Sequence, residues 1–428
     1  MPSDVTVAGA DEFALGRERL VQDDPSGALV HFRRALREER ETELVRLGLA
    51  LCLALCGNDN ELRAMIATDG PTPAGRLAFL QTVLLELVGR KAWDCLRRLP
   101  AAFTGDPHLR AVSTYYAGCA EIARRRHDAA WPHFEEFKAI VLPRHRDFPV
   151  ASNKEFNLVF RQACLIEPPA QVREIAVGTE TTSALPPSAV TWVGDWRQGT
   201  AGPVFLCCCD GQYFRRFAAE LCQSLADFRP GATIHFHIAA PEQADLDLAQ
   251  SLAARHGGLA FNLTLETAPL FRHPVYYTCN RFLVAPLLLE RYGRPLSILD
   301  ADSVLLDDLG AILAAVEELD FACFNTGRIE PASVFQATLL YFAASPGARR
   351  LLDIVGKLVL QKLAMPPVLS WMLDQAALYS ALRYAEIYEP EIAVGDLTLA
   401  TGREMRSFIG ACGTTAEKGE LMNRPQTS

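Results

Sequence analysis

From residue 11 to 142 apolar residues recur every three or four positions, as in Ala28, Leu29, Phe32, Ala35 and Leu36; beyond residue 200 short apolar runs alternate with helical spacing. The pattern predicts two architectures in one chain. The first stretch carries almost no strand signal and reads as all helix. In the second, Val204 to Cys209 is a β-rich run ending in Asp210 and Gly211, and Tyr213 to Leu225 continues at helical spacing. Thr233 to Ile238 repeats the strand, Pro241 to Arg255 repeats the helix, and Ala260 to Leu265 supplies a third strand. Such alternation predicts an α/β domain with a mainly parallel sheet, whose ligands sit at the carboxyl ends of the strands.

Between these halves, from Glu167 to Val190, the helical period fails and Pro168, Pro169, Pro186 and Pro187 gather with Gly178, Thr179 and Ser183. The expected organisation is a helical domain over 1–150, a connection over 151–190 and the α/β domain over 191–428.

The helical half repeats itself. Leu15 and Gly16 followed by Ala28, Phe32 and Ala35 recur as Ala117 and Gly118 followed by Ala130, Phe134 and Phe137, an offset of 102 residues or three 34-residue periods. These spacings resemble tetratricopeptide repeats, in which a small residue lets two helices approach and an aromatic residue twelve to sixteen positions later wedges between neighbours. Leu47 with Gly48 starts one further unit, and Leu77 to Val88 followed by Trp93 to Leu99 forms another, so four units are expected. The alternative is a generic helical bundle. A repeat array implies a concave face that holds a protein segment or a second copy of the chain; no chemistry is encoded there.

Charge and composition narrow the partners. Among 428 residues, 42 are basic and 51 acidic, a net charge of −9, which leaves no cationic excess to neutralise a nucleic-acid backbone. The longest apolar runs, Leu47 to Cys56 and Phe282 to Leu289, fall short of the roughly 18 residues of a membrane span. Met1 to Phe13 lacks a basic start and an apolar core, so a cytoplasmic location is expected. The twelve cysteines show no zinc spacing and read as buried thiols; His235 and His237, alternating along a strand, read as structural.

The sharpest chemical signal is PLSILDADSVL, residues 295–305, an apolar strand running into Asp300 and Asp302. Two carboxylates at that spacing converge on a hard cation, Mg²⁺ or Mn²⁺, which keeps open positions for diphosphate oxygens and water. The bland alternative is a polar strand end. Asp307 and Asp308 read as caps of a helix from Leu309 to Leu319.

Residues 203 to about 420 resemble a GT-A fold glycosyltransferase, in the broad class that includes glycogenin-like and lipopolysaccharide-sugar transferases. The resemblance rests on VFLCCCD with Gly211, Gln212 and Tyr213 as the first nucleotide-binding loop, on YYTCNRFLVAPLLLERYGRPLSILDADSVL as the helix and strand leading to a D-x-D motif, and on WMLDQAALYSAL as the acceptor-side D-Q segment. It implies that Asp300 and Asp302 hold the metal and, through it, the diphosphate of a sugar nucleotide. It further implies base and ribose contacts from Cys209, Asp210 and Tyr213, with a core position as the alternative for Tyr213. Arg281 becomes a second positive contact, or else a solvated helix arginine. Asp374 and Gln375 become the catalytic pair: Asp374 is a general base if the reaction inverts and orients sugar if it retains, the alternative being a helix cap. Lys418 is a phosphate contact. Where relatives complete the metal site with a histidine, this chain reads SFIGACGTTAEKG, which points to reduced metal dependence. The usual Asn-x-Gly strand is replaced around Val334 to Ala337.

The expected activity is therefore transfer of a sugar from a nucleoside diphosphate to a glycan or protein acceptor. Two alternatives stand beside it. One is a non-catalytic tetratricopeptide adaptor with a degenerate transferase fold. The other is a haloacid-dehalogenase-like phosphatase, whose nucleophile motif also ends a strand with D-x-D, but normally the first strand of its domain.

Overall fold

The computed structural model describes residues 5–37, 43–69, 72–144, 163–178, 183–200, 202–364 and 372–413. The chain divides into two compact units, 1–164 and 165–428.

The first unit is a succession of eight described helices: Val5–Val21, Pro25–Arg37, Glu43–Cys56, Asp59–Asp69, Pro73–Gly89, Trp93–Ala102, Pro107–Ala123 and His127–Val141. Local chemistry fixes several starts. Asp106 caps Pro107–Ala123 by accepting from the amides of His108 and Leu109 at 2.9 and 3.1 Å, with proline at the first helical position. The helices then close on glycines. A Cβ on Gly118 would lie 2.8 Å from the Phe134 ring, one on Gly16 3.0 Å from Phe32, and one on Gly48 2.6 Å from the same ring. Phe134 and Phe32 are buried in those notches, so each aromatic ring fills the space that the missing side chain leaves.

The second unit is built on an eight-stranded sheet. Its strands are β1 (Thr191–Val193), β2 (Val204–Asp210), β3 (Thr233–Ala239), β4 (Ala260–Glu266), β5 (Leu296–Leu299), β7 (Phe321–Asn325), β8 (Phe335–Phe342) and β9 (Val394–Asp396), in the order β1-β4-β3-β2-β5-β8-β7-β9. β6 (Ser303–Leu305) and β10 (Ile409–Ala411) form a separate antiparallel ribbon. β4, β3, β2 and β5 are parallel, whereas β8 lies antiparallel between β5 and β7, and β1 runs antiparallel along β4. The sheet is thus mixed but mainly parallel: β2, β3, β4, β5, β7 and β9 run one way, β1 and β8 the other; strand periodicity records burial and says nothing of direction.

Both faces are covered. Phe205, Cys207 and Cys209 of β2 join Phe236, Ile238 and Leu263 in a core with the helices Gly211–Phe228 and Gln243–Arg255. The helices Pro274–Tyr292, Pro346–Leu363 and Leu373–Tyr388 complete the unit, and Leu283 anchors the Ser183–Leu185 segment by accepting from the Leu185 amide at 2.9 Å.

The segment read as a connection contains the helix Pro169–Val177, which belongs to the second unit. Lys362 forms a buried ion pair with Glu167, Lys357 donates to the Ala176 carbonyl at 3.1 Å, and the Glu167 amide donates to Ser380 at 2.9 Å. A Cβ on Gly356 would collide with the Ser183 carbonyl. Prolines that interrupt a period start this helix instead of marking a loose linker. Asp307 and Asp308 do not cap: the helix there is Gly310–Ala315, with no side-chain cap, and the two carboxylates pair with Arg403 at 2.9 Å and Arg229 at 3.0 Å.

Candidate functional site

The chain passes from β2 through β3 to β4 on one side of β2, then crosses through the helix Pro274–Tyr292 to β5 on the other side. The strand order therefore reverses between β2 and β5, the place where an open α/β sheet forms a ligand crevice beyond its carboxyl ends. β2 ends in Asp210, and β5 runs directly into Asp300 and Asp302.

Asp210 caps the helix Gly211–Phe228, its Oδ1 accepting from the Tyr213 amide at 2.8 Å, and burial pushes its carboxyl above the ordinary range. Tyr213 is half-buried; burial, then the charges of Asp302, Asp210 and Asp300, push its phenol up to about 12. Three acidic side chains thus share the surroundings of one neutral phenol. Cys209 points the other way, buried in the core with Cys207 and Phe236, and takes no position in the crevice. Cys208, on the opposite face of the strand, feels Arg281 and Glu266.

Arg281 lies on the helix Pro274–Tyr292 and is buried, not solvated. Its Nη1 donates to Asp300 Oδ1 at 2.5 Å and to the Ala337 carbonyl at 3.1 Å, and its Nη2 donates to Asp374 Oδ2. Among the described residues its Nε has no partner. One guanidinium therefore faces two carboxylates, a cluster of net charge −1. Burial pushes the Asp374 carboxyl up, Arg281 pulls it back and the Asp300 charge opposes that pull; one cation shared between two anions leaves the direction upward. Arg281 stays protonated throughout, held up by Asp300 and Asp374 against burial.

Asp374 stands in the first turn of Leu373–Tyr388 without capping it; the cap position is Met372, with no side-chain capping hydrogen bond. Its Oδ1 accepts from the Gln375 amide at 2.8 Å. The Gln375 side chain, oriented to satisfy its surroundings, donates from its amide nitrogen to the carbonyls of Ala332 and Phe335 at 2.6 and 3.1 Å. It clamps the start of β8 to the helix that carries Asp374.

Asp300 is one-third exposed and Asp302 is partly exposed. The stretch SFIGACGTTAEKG begins as β10 beside β6, where the Cys412 amide donates to the Asp302 carbonyl at 2.6 Å. Lys418 lies outside the described residues. Among the described residues, no group of three or more His, Cys, Asp or Glu side chains is gathered so as to hold a metal ion. Two accessible carboxylates nevertheless suit Mg²⁺ or Mn²⁺, ions that bind through one or two carboxylates and fill the remaining positions with phosphate oxygens and water.

His235 and His237 are fully buried. His235 sits 2.8 Å from both Tyr292 and Thr264, and burial with His237 beside it pushes it down to about 3. Sequence reasoning missed Glu266, Tyr276 and Asn280; the last two both donate to Glu266 next to the Arg281 turn. A signal was present: in AFNLTLE the polar Asn262, Thr264 and Glu266 alternate with apolar residues, unusual for a strand covered on both faces.

No protein-family model matches the chain, and no curated protein does. Solved structures similar to part of it include the apo structure of the WbbM bifunctional glycosyltransferase, at 17% identity and a TM-score of 0.33 over 50% of this chain and 40% of that one. The apo form of the glycosyltransferase GlyE from Streptococcus pneumoniae TIGR4 is similar at 14% identity and 0.32, over 46% of each chain. The apo form of mouse xyloside xylosyltransferase 1 is similar at 11% identity and 0.31, over 45% of this chain and 84% of that one. The chain thus spans less than half the length of the first two. Among the described residues no helix is long and apolar enough to cross a membrane.

Proposed function

We propose that the second unit transfers a sugar from a nucleoside diphosphate to a glycan or protein acceptor. The observation that carries this reading is the placement of Asp210, Asp300 and Asp302 at the ends of the adjacent parallel strands β2 and β5, where the strand order reverses. A crevice there suits a nucleotide, and the D-x-D and D-Q segments resemble those of GT-A transferases. Asp300 and Asp302 would hold Mg²⁺ or Mn²⁺, which supplies charge stabilisation to a departing diphosphate.

The chain's own residues divide the remaining work. Arg281 neutralises part of the carboxylate charge and fixes Asp300 and Asp374 relative to each other. Asp374, held by Arg281 and by the Gln375 amide, serves to take a proton from the acceptor if the reaction inverts and to orient a sugar hydroxyl if it retains. Gln375 positions this carboxylate by clamping its helix to β8. Asp210 fixes the start of the helix that follows β2 directly, leaving Tyr213 in its first turn as a neutral surface for the nucleoside. In the helical unit the described surfaces supply a scaffold for a protein partner or a second copy.

A panel of nucleoside diphosphate sugars, assayed for hydrolysis and binding with and without Mn²⁺, tests the reading. Turnover of at least one donor is expected. Binding to none supports the adaptor alternative, and release of phosphate from a phosphomonoester supports the phosphatase.

A further inference from the structure

Glu266, at the carboxyl end of β4, is a fully buried carboxylate that the proposed chemistry does not use. It accepts from the Tyr276 hydroxyl at 2.6 Å, from Asn280 Nδ2 at 3.1 Å and from the Leu270 amide at 3.2 Å. Among the described residues no arginine or lysine pairs with it; the nearest ionisable nitrogen is His237 Nε2 at 3.7 Å. A buried anion without a cation is tolerated only where fixed donors surround it. These donors come from one turn of one helix and from the loop that leads into it.

A polar stripe runs up to that carboxyl group. His237 Nδ1 lies 2.9 Å from the Thr264 hydroxyl, which lies 2.8 Å from His235 Nε2, and His235 Nδ1 lies 2.8 Å from the Tyr292 hydroxyl. His237 Nε2, facing Glu266, makes no hydrogen bond among the described residues.

Tyr276 and Asn280 are four residues apart and so lie on one helix face. Asn280 immediately precedes Arg281. We propose that Glu266 is the positioning residue of the Arg281 cluster: by gripping Tyr276 and Asn280 it fixes the depth and rotation of the turn from which Arg281 reaches Asp300 and Asp374. The catalytic consequence rests on the transferase reading; the structural one does not.

Glu266→Gln keeps an acceptor for Tyr276 but sets an amide against Asn280 Nδ2, and Glu266→Gln with Asn280→Asp restores a donor–acceptor pair with its sense reversed. Donor-sugar hydrolysis and amide hydrogen exchange are measured on the full chain. For the single variant, kcat falls at least about tenfold while KM for the sugar nucleotide stays within about threefold. Exchange across 276–282 quickens at least about tenfold, and that across 346–363 is unchanged. The double variant regains at least about half of both losses. Unchanged exchange across 276–282, or no recovery in the double variant, overturns the proposal. If the wild type turns over no sugar nucleotide, the transferase reading fails and the exchange measurement alone decides. Should Glu266→Gln not fold, Tyr276→Phe, which removes a single donor, is read by the same two outcomes.

Discussion

Arg281 and Asp374 lie 93 residues apart in sequence and are joined by a charge-assisted hydrogen bond between side chains that are 7% and 4% exposed. Such a bond ties the helix before β5 to the helix after β8, and through Asp300 the same guanidinium also reaches the strand end between them. The cluster is the mechanical centre of the candidate site: each carboxylate is placed by a cation that is itself placed by the fold.

A planar fork that bridges two carboxylates has no lysine equivalent. Arg281→Lys is expected to lower donor turnover at least about a hundredfold while the protein remains folded, because one ammonium cannot hold both carboxylates in register. Arg281→Met leaves the nearly buried Asp374 unpaired and should cost about 3–5 kcal/mol. Urea unfolding and hydrolysis assays on the two variants check this; full activity in Arg281→Lys would show that bridging is dispensable.

If Asp302 holds a metal as proposed, a metal titration separates it from its acidic neighbours. Asp302→Ala should abolish any stimulation of hydrolysis by Mn²⁺, whereas Asp308→Ala, which loses an exposed pair with Arg229, should change activity little and stability by no more than about 0.5 kcal/mol. A Mn²⁺ titration of both variants and the wild type distinguishes them. Identical stimulation in all three would remove Asp302 from the metal's coordination.

Much of this arrangement was legible in the sequence, and the exceptions have physical reasons. The alternation from Val204 to Leu265 reports burial on both faces and so announces its strands and helices. The Gly16–Phe32 and Gly118–Phe134 notches follow from a spacing of sixteen residues because helix hairpins bring such positions together. D-x-D and D-Q stood out because carboxylates flanked by apolar residues are costly without a role. The burial of Arg281 was not legible: an arginine on a helix looks the same in sequence whether it faces water or two distant aspartates. Neither was the reversed direction of β8, nor the grip of Glu266 on Asn280, since both depend on pairings that only the folded sheet creates.

The glycine notches make a packing prediction. Gly118→Ala would drive its methyl to within 2.8 Å of the Phe134 ring and should destabilise the helical unit by about 1–3 kcal/mol. Adding Phe134→Leu should recover part of that loss. Gly89→Ala is the control, since a Cβ there meets nothing within 4 Å; it should be neutral or stabilise by up to about 1 kcal/mol. Chemical denaturation followed by far-ultraviolet circular dichroism reads all three, and equal effects at Gly118 and Gly89 would deny the notch its role.

The Glu167–Lys362 pair, both side chains less than 10% exposed, makes the segment before β1 part of the second unit. Lys362→Met should cost about 3–5 kcal/mol by leaving Glu167 buried and unpaired, and Lys362→Met with Glu167→Gln should cost clearly less. Amide hydrogen exchange across the helix Pro169–Val177 provides a second readout, with exchange faster in the single variant than in the double. Equal stability of the two variants would mean that the pair is not what fastens the segment.

His235 predicts how the second unit responds to acid. Burial and His237 hold its folded-state value at about 3, below the 6.5 of a free histidine, so between these values the unfolded chain binds the proton and the folded one does not. Stability from this group is complete above about pH 6.5 and is lost as the pH falls, by up to about 1.4 kcal/mol per pH unit. His235→Gln removes the titrating ring from its place between Tyr292 and Thr264 and should flatten that part of the profile while lowering stability at pH 7. Urea midpoints at pH 7, 6 and 5 for the wild type and the variant give the slope, and parallel slopes would show that the acid sensitivity lies elsewhere.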